Sequence, residues 1–237
     1  MENCVIGPYT ALSFSLASNT FNGSNSSTNS YPGTTNRNPI DTNSSHLATS
    51  SSSGIPGGDF ALGYDFGGLR AEISYSITSG STGTFSISGR DIYTSPRVPG
   101  VAVSQNASAN NNQASITRQA LLLNAALDLP TGTRFIPYFG AGIGASWLSL
   151  NSMNEQTSDF CRAAGAFTPC PATFSSSGGT GTALAAQGKA GISYLINLRT
   201  IMFLEAVYDY TGSVTIGNLN LNSFSQYSGK LGVRYRF

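Results

Sequence analysis

The sequence predicts an all-β fold, a transmembrane antiparallel up-and-down β-barrel of eight strands. Three observations predict it. Apolar and polar residues alternate with a period of two in eight segments, and the connections between these segments alternate between long and short. Only 10% of the 237 residues are charged, against roughly 25% in soluble proteins. A barrel in lipid accounts for all three, because lipid excludes charge from one face of every strand.

The eight predicted strands are longer than most strands of soluble sheets. They have 8–15 residues, enough for the ~9–11 residues that cross a bilayer at a tilt. No segment approaches the ~18 consecutive apolar residues of a membrane helix. The predicted strands are 7–17, 59–66, 69–78, 117–129, 135–148, 182–196, 202–210 and 226–237.

The connections predict which strand ends lie on the same side of the membrane. Tight turns are predicted at Gly67-Gly68, 130–134 and 197–201, and the long loops at 18–58, 79–116, 149–181 and 211–225. This rhythm is typical of barrels with three short periplasmic turns and four long external loops. We expect a single domain, 1–237. Its Ser/Asn-rich loop 18–58 is expected either to be disordered or to fold on contact with a partner.

The two faces of the strands differ in charge. One face carries no charged residue and has Tyr, Trp and Phe near the strand ends, as interfacial girdles do. The other face carries six acids and six bases: Asp59, Asp65, Arg70, Glu72, Arg118, Asp128, Lys189, Glu205, Asp209, Lys230, Arg234 and Arg236. Slipping every strand by one residue would move these charges into hydrocarbon at a cost on the order of tens of kcal/mol. The charged face is therefore predicted to line the lumen.

Two interpretations of the inward charges remain open. They form either a structural network that pairs across the lumen or the lining of a narrow, water-filled channel. The equal numbers of acids and bases favour pairing, and an eight-stranded barrel is just wide enough for its own side chains to fill. Our candidates for the network are Arg70, Glu72, Lys189, Glu205, Arg234 and Arg236.

Several segments resemble those of small outer-membrane barrels. KLGVRYRF (230–237) resembles the carboxy-terminal signal that the barrel-assembly machinery recognises, with Lys230, Gly232, Tyr235 and Phe237 at its positions. IPYFGAGIGAS (136–146) is similar to a strand of the eight-stranded outer-membrane protein A and opacity-protein superfamily. RAEISYS (70–76) and EAVYDY (205–210) look like its third and seventh strands, although Tyr208-Asp209 stands where that group commonly has Tyr-Arg.

The resemblance implies a multi-pass protein in the outer membrane of a Gram-negative bacterium, with both termini in the periplasm and no periplasmic peptidoglycan-binding domain. Its implied partners are outer-membrane lipid, lipopolysaccharide and the assembly machinery. The N-terminus lacks the basic and apolar segments of a signal peptide, so we interpret Met1 as a start placed on an already mature sequence.

The candidate reactive residues are few. Cys161 and Cys170 are close in a polar segment and predict a local disulfide, which leaves Cys4 unpaired. The lone histidine, His46, lies far from them in a polar tract, so we expect no metal site and no catalytic triad. GAGIG (140–144) is interpreted as one face of a strand, because no helix pattern follows it. A net charge of +1 argues against nucleic acid as a partner. No cofactor is predicted.

These features predict a non-enzymatic outer-membrane barrel that displays its loops for adhesion or for contact with a host or other partner, and that contributes to envelope structure. A narrow porin-like channel for small solutes or ions is the alternative. A lipid-modifying enzyme of the outer leaflet is a third hypothesis, which depends on His46.

Overall fold

The computed structural model describes the main chain of residues 6–31, 40–81, 84–95, 98–109, 115–151, 153–163, 166–176, 178–216 and 219–237. It describes side chains in 6–20, 51–81, 115–151, 178–216 and 220–237. Within those ranges the chain forms thirteen strands: β1 Gly7–Tyr31, β2 Ile40–Asp65, β3 Leu69–Ser81, β4 Thr84–Ser95, β5 Val98–Ala109, β6 Ser115–Asp128, β7 Phe135–Leu150, β8 Met153–Ala163, β9 Ala166–Ser176, β10 Gly179–Leu195, β11 Thr200–Thr211, β12 Val214–Ile216 and β13 Leu219–Arg236. The described part of the chain contains no helix long and apolar enough to span a membrane.

Eight of these strands close into a ring. Their order is β1, β13, β11, β10, β7, β6, β3 and β2, every neighbouring pair is antiparallel, and β2 pairs again with β1. Each predicted strand corresponds to one strand of this ring. The predicted eight-stranded antiparallel barrel is therefore confirmed.

The register fixes the tilt of the strands. Following direct partners around the ring from Ala17 returns to β1 at Gly7, ten residues away. The intermediate partners are Ser228, Val207, Lys189, Gly140, Ala126, Arg70 and Asp65. A stagger of ten residues at about 3.3 Å each, over eight strands about 4.8 Å apart, gives a tilt of about 40°. Membrane barrels have tilts in this range.

Short turns join the strands at one end of the barrel, which we call the turn end. They cover residues 66–68, 129–134 and 196–199, where the sequence predicts tight turns. Gly67 and Gly68 have φ of 88° and 141°, a region that favours glycine. In the third turn, Asn197 Oδ1 accepts hydrogen bonds from the main-chain N–H groups of Arg199 (2.9 Å) and Thr200 (2.7 Å). This Asx-turn geometry explains why asparagine occupies the position.

The opposite end, which we call the hairpin end, differs from the prediction. All four tracts expected to be long loops contain paired strands: in 211–225, β12 pairs with β13, and the other three tracts hold longer pairings. β1 and β2 remain paired as far as Tyr31 and Ile40, β4 and β5 add to the outer part of β2, and β8 pairs with β9 in a separate sheet. Sequence alternation misses the strands in 18–58, 79–116 and 149–181 because these tracts are rich in polar residues, and main-chain pairing needs no apolar face.

The outward face of the barrel is apolar, as predicted. Leucine, isoleucine, phenylalanine and tyrosine side chains on all eight ring strands are exposed, and Ile143 in the middle of β7 is 70% exposed. Aromatic residues lie at both ends of this face, with Tyr64, Tyr194 and Tyr235 towards the turns and Tyr208 and Tyr227 towards the hairpins. This arrangement suits a hydrocarbon layer with two interfaces.

Candidate functional site

The lumen holds all twelve charged residues of the inward face. Ten are buried, and Asp59 and Asp128 are half-buried. Among the described residues, five salt bridges join ten of them. The pairs are Arg70–Asp128 at 2.8 Å, Arg118–Asp209 at 3.2 Å, Lys230–Asp59 at 2.5 Å, Arg236–Asp65 at 2.5 Å and Lys189–Glu72. Arg70–Asp128 joins neighbouring strands. The two pairs from β13 reach β2 past β1, and the remaining two join strands three places apart in the ring.

Arg234 and Glu205 are the two lumen charges without a salt bridge among the described residues. Arg234 is only 3% exposed. Its guanidinium carbon lies 5.1 Å from the ring centroid of Tyr9 and 5.4 Å from that of Phe203. The electron-rich faces of aromatic rings therefore surround this cation. Glu205 accepts a hydrogen bond from the Tyr138 hydroxyl at 2.9 Å.

The same three-residue arrangement occurs twice in the lumen. In the first copy, Tyr9 on β1 is opposite Gly63 on β2, which is opposite Glu72 on β3. The Tyr9 hydroxyl donates to Glu72 at 2.7 Å. A Cβ at Gly63 would contact the Tyr9 ring, so the glycine lets the ring cross the neighbouring strand.

The second copy lies on the opposite side of the ring. Tyr138 on β7 is opposite Gly191 on β10, which is opposite Glu205 on β11. A Cβ at Gly191 would meet the Tyr138 ring at 2.8 Å. Each copy thus fixes a buried carboxylate with a tyrosine hydroxyl from two strands away.

The structure brings together the six predicted network residues only in part. Glu72 and Lys189 pair directly, whereas Arg70 and Arg236 pair with aspartates outside the predicted set. Glu205 and Arg234 contact aromatic side chains. Tyr9 and Tyr138, which hold the two glutamates, were missed. The sequence signal for them is their position, because both alternate in step with the residues that face the lumen.

A small cavity lies between these side chains. It lies in the lumen and has a volume of about 30 Å³, room for about two water molecules, since each needs roughly 10–15 Å³ of such space. Six charged residues line it: Asp59, Glu72, Lys189, Glu205, Lys230 and Arg234. A polar cavity of this size can hydrate the charges but is too small to hold a hydrated solute.

An apolar cluster fills the lumen at the hairpin end, and we call it the cap. All its members are buried and come from β6, β7, β12 and β13: Ile116, Leu148, Leu150, Val214, Ile216, Leu221 and Phe224. β12 lies against β10, where a Cβ at Gly181 would contact its main chain. The sequence predicts a loop at 211–225, where the structure has β12 and part of the cap. The signal was the apolar residues Ile116, Leu148 and Leu150 at inward positions.

The predicted disulfide lies outside the described side chains. The main chain places Cys161 on β8 opposite Thr168, and Cys170 on β9 opposite Asp159. The pairing of the two cysteines stays a prediction. The main chain of His46 lies on β2, opposite Asn25 and Gly89, but its side chain is also outside the described residues.

The four residues of the predicted assembly signal lie on both faces of the last strand. Lys230 points inward to Asp59, and Gly232 faces Phe203 inside the barrel. Tyr235 and Phe237 point outward with ring centroids 5.6 Å apart. Of the four signal residues, Tyr235 and Phe237 are therefore the two that are accessible from outside the barrel.

We expect Phe237→Ala to lower the amount of assembled barrel in cells more than it lowers unfolding stability in detergent. The Phe237 side chain is 70% exposed, so its removal eliminates little buried area. Assembly is measured as heat-resistant, membrane-embedded protein, and stability by denaturant titration of purified protein. Leu231→Ala, at another exposed outward position of β13, is the control. Equal losses in both measurements would contradict a recognition role.

A family model described as surface antigen matches residues 24–222. No curated protein sequence matches the chain significantly. The fold is similar to the crystal structure of Neisserial surface protein A, with a TM-score of 0.52 and 14% identity over 98% of this chain and 97% of that chain. This likeness supports the fold alone.

Two further solved structures are similar at lower scores. One is Ail, the attachment invasion locus protein of Yersinia pestis, with a TM-score of 0.39 and 12% identity over 94% of this chain and 98% of that chain. The other is the outer membrane protein OprG from Pseudomonas aeruginosa, with a TM-score of 0.42 and 10% identity over 98% and 96%.

Proposed function

Because this chain belongs to the surface antigen family and folds as a closed eight-stranded barrel, we propose that it is a non-enzymatic anchor that displays its hairpin end for adhesion or for contact with a host or other partner. The chain is an integral protein of the outer membrane of a Gram-negative bacterium. The filled lumen is the observation that carries the proposal. Five ion pairs and the cap occupy the space that a channel would need.

The dimensions of the first hairpin support display. β1 has 25 residues, whereas about 11 suffice to cross a bilayer. About 14 residues, or roughly 45 Å of strand, therefore extend past the hydrocarbon. Paired strands of this length form a ribbon that can reach beyond the headgroups. We also propose that lipid and lipopolysaccharide surround the outward face and that the barrel-assembly machinery inserts the chain into the membrane.

Adhesion of expressing cells to host cells or matrix proteins tests the proposal. One variant lacks 25–46 and joins Ser24 to Leu47, which are opposite each other in the β1–β2 hairpin, through an Asn-Gly turn. A second lacks 155–174 and shortens β8 and β9, which pair only with each other. We expect the intact chain to increase adhesion and at least one deletion to abolish it while barrel assembly is unchanged. Adhesion equal to that of cells without the protein would contradict the proposal.

Conductance measurements test the channel alternative. We expect purified protein in planar bilayers to give no stable openings, because the ionic layer and the cap close the lumen independently. The cap variant Val214→Ser/Ile216→Ser should also remain silent, since the salt bridges beneath the cap are intact. Thr215→Ser, at the exposed position between them, is the matched control. Uniform openings of the wild type would favour a porin, and openings confined to the cap variant would make the cap a gate.

Enzymatic activity is not part of the proposal. The described residues contain no group of three or more His, Cys, Asp and Glu side chains that could hold a metal ion. The buried carboxylates are engaged by cations or tyrosine hydroxyls. The enzyme hypothesis would be restored if lipid A or phospholipid were chemically modified in cells that express the protein and unmodified in cells that express His46→Ala.

A further inference from the structure

Two arginines are the charged residues outside the lumen among the side chains that the structure describes. Arg134 and Arg199 are both exposed, and both lie at the turn end. Neither forms a salt bridge with another described residue. The outward face between the two ends is otherwise uncharged. Among the described side chains, these two cations at one rim of an apolar cylinder have no anionic partner, and a counter-charge from the surroundings could bind there.

The main chain holds both arginines on the same side of the rim. Arg134 ends the turn before β7, and Arg199 ends the turn before β11, with β10 between these two strands in the ring. The Leu195 N–H donates to the Arg134 carbonyl at 2.9 Å, and the Arg236 N–H donates to the Arg199 carbonyl at 2.8 Å. Each turn is thus hydrogen-bonded to the end of a neighbouring strand. These bonds fix the main-chain position of each arginine at the rim.

Apolar residues next to both arginines are exposed. Leu129 and Phe135 flank the turn of Arg134, while Ile196 and Leu198 precede Arg199. Exposed leucine and isoleucine on a turn are unfavourable in water but favourable at a membrane interface. Phe135 and Leu198 are sequence neighbours of the two arginines, so the Cα atoms of each pair are about 3.8 Å apart. The headgroup region of each leaflet is roughly 5–8 Å thick.

We propose that Arg134 and Arg199 form a binding surface for the phosphate groups of anionic phospholipids in the leaflet at the turn end. The planar guanidinium fork binds phosphate oxygens through two parallel hydrogen bonds. The surface covers only the part of the rim around β7, β10 and β11. The remaining short turn, Phe66-Gly67-Gly68, carries no cation and leaves its side of the rim without such a site.

Spin-labelled lipids test this assignment with the full chain in phosphatidylcholine vesicles. The measured quantity is the association constant of labelled phosphatidylglycerol relative to labelled phosphatidylcholine, taken from the motionally restricted fraction. Wild type should prefer phosphatidylglycerol by roughly threefold to tenfold at low salt, as expected for cations near a charged surface. Arg134→Gln/Arg199→Gln should lower the ratio to about one, whereas Arg134→Lys/Arg199→Lys should keep most of it.

Three results would overturn the proposal. If the glutamine variant kept the wild-type ratio, groups other than these arginines would select the lipid. Displacement of the preference by inorganic phosphate, beyond the effect of sodium chloride at equal ionic strength, would indicate a site for free anions. A lysine variant as weak as the glutamine variant would remove the role of the guanidinium. Adhesion and conductance are independent of these outcomes, so the proposed display function stands or fails separately.

Discussion

Glu72→Ala is expected to lower the free energy of unfolding by about 3–5 kcal/mol, the usual cost of removing one partner of a buried ion pair. Glu72 accepts hydrogen bonds from Lys189 Nζ and from the Tyr9 hydroxyl, so its loss leaves a buried ammonium group and a buried hydroxyl without this acceptor. The measurement is reversible denaturant unfolding of the barrel refolded in lipid vesicles.

Two variants separate charge from hydrogen bonding at this position. Glu72→Gln keeps an acceptor for Tyr9 and should lose less stability than the alanine variant. Glu72→Gln/Lys189→Met removes both charges and should recover much of the loss, because no uncompensated charge is left. A change within about 0.5 kcal/mol for Glu72→Ala, as at an ordinary surface position, would indicate that bulk water reaches the pair. That result would favour the interpretation of the lumen as a water-filled channel.

Ile143→Arg is expected to cost about 2–4 kcal/mol in a bilayer, the range for arginine on the lipid face near the midplane. Ile143 lies in the middle of β7 and is 70% exposed on the outward face. Unfolding in lipid vesicles gives the free energy, and a spin label at the same position should report hydrocarbon.

Depth provides the control for this prediction. Phe135→Arg places the same side chain at the start of β7, beside the turn, where the cost should fall to about 0–1 kcal/mol. A spin label at Leu123, opposite Ile143 on β6, should also report hydrocarbon. Equal costs at positions 135 and 143, or water at Leu123, would be incompatible with lipid on this face.

The sequence predicts the ring because each strand that crosses the membrane faces lipid on one side and the lumen on the other. Alternation in segments such as 69–78 identifies the strand, and charges such as Arg70 and Glu72 identify its inner face, since lipid admits neither. The rhythm of short and long connections then gives antiparallel neighbours. Local residue types and the energy of burying charge are therefore sufficient to predict the strands, their inner faces and their antiparallel order.

Other features depend on contacts between residues distant in sequence. Arg118 lies nearest to Asp209, 91 positions away, and no local pattern selects that partner among five other acids on the inner face. The cap requires β12 to fold back towards Leu148 and Ile116, which hydropathy alone cannot indicate. The strands beyond the bilayer, such as β4, are held by main-chain pairing in polar segments, and such segments predict loops equally well.

The repeated tyrosine, glycine and glutamate arrangement divides the ring into two half-shells. One is β1, β2, β3 and β6, and the other is β7, β10, β11 and β13, each a continuous four-strand meander. They meet along two seams, β1–β13 and β6–β7, and residues 129–134 connect them. In each half-shell the tyrosine, glycine and glutamate lie on the first, second and third strands in the same order. Each half-shell thus holds its own buried carboxylate with a tyrosine hydroxyl from the same half.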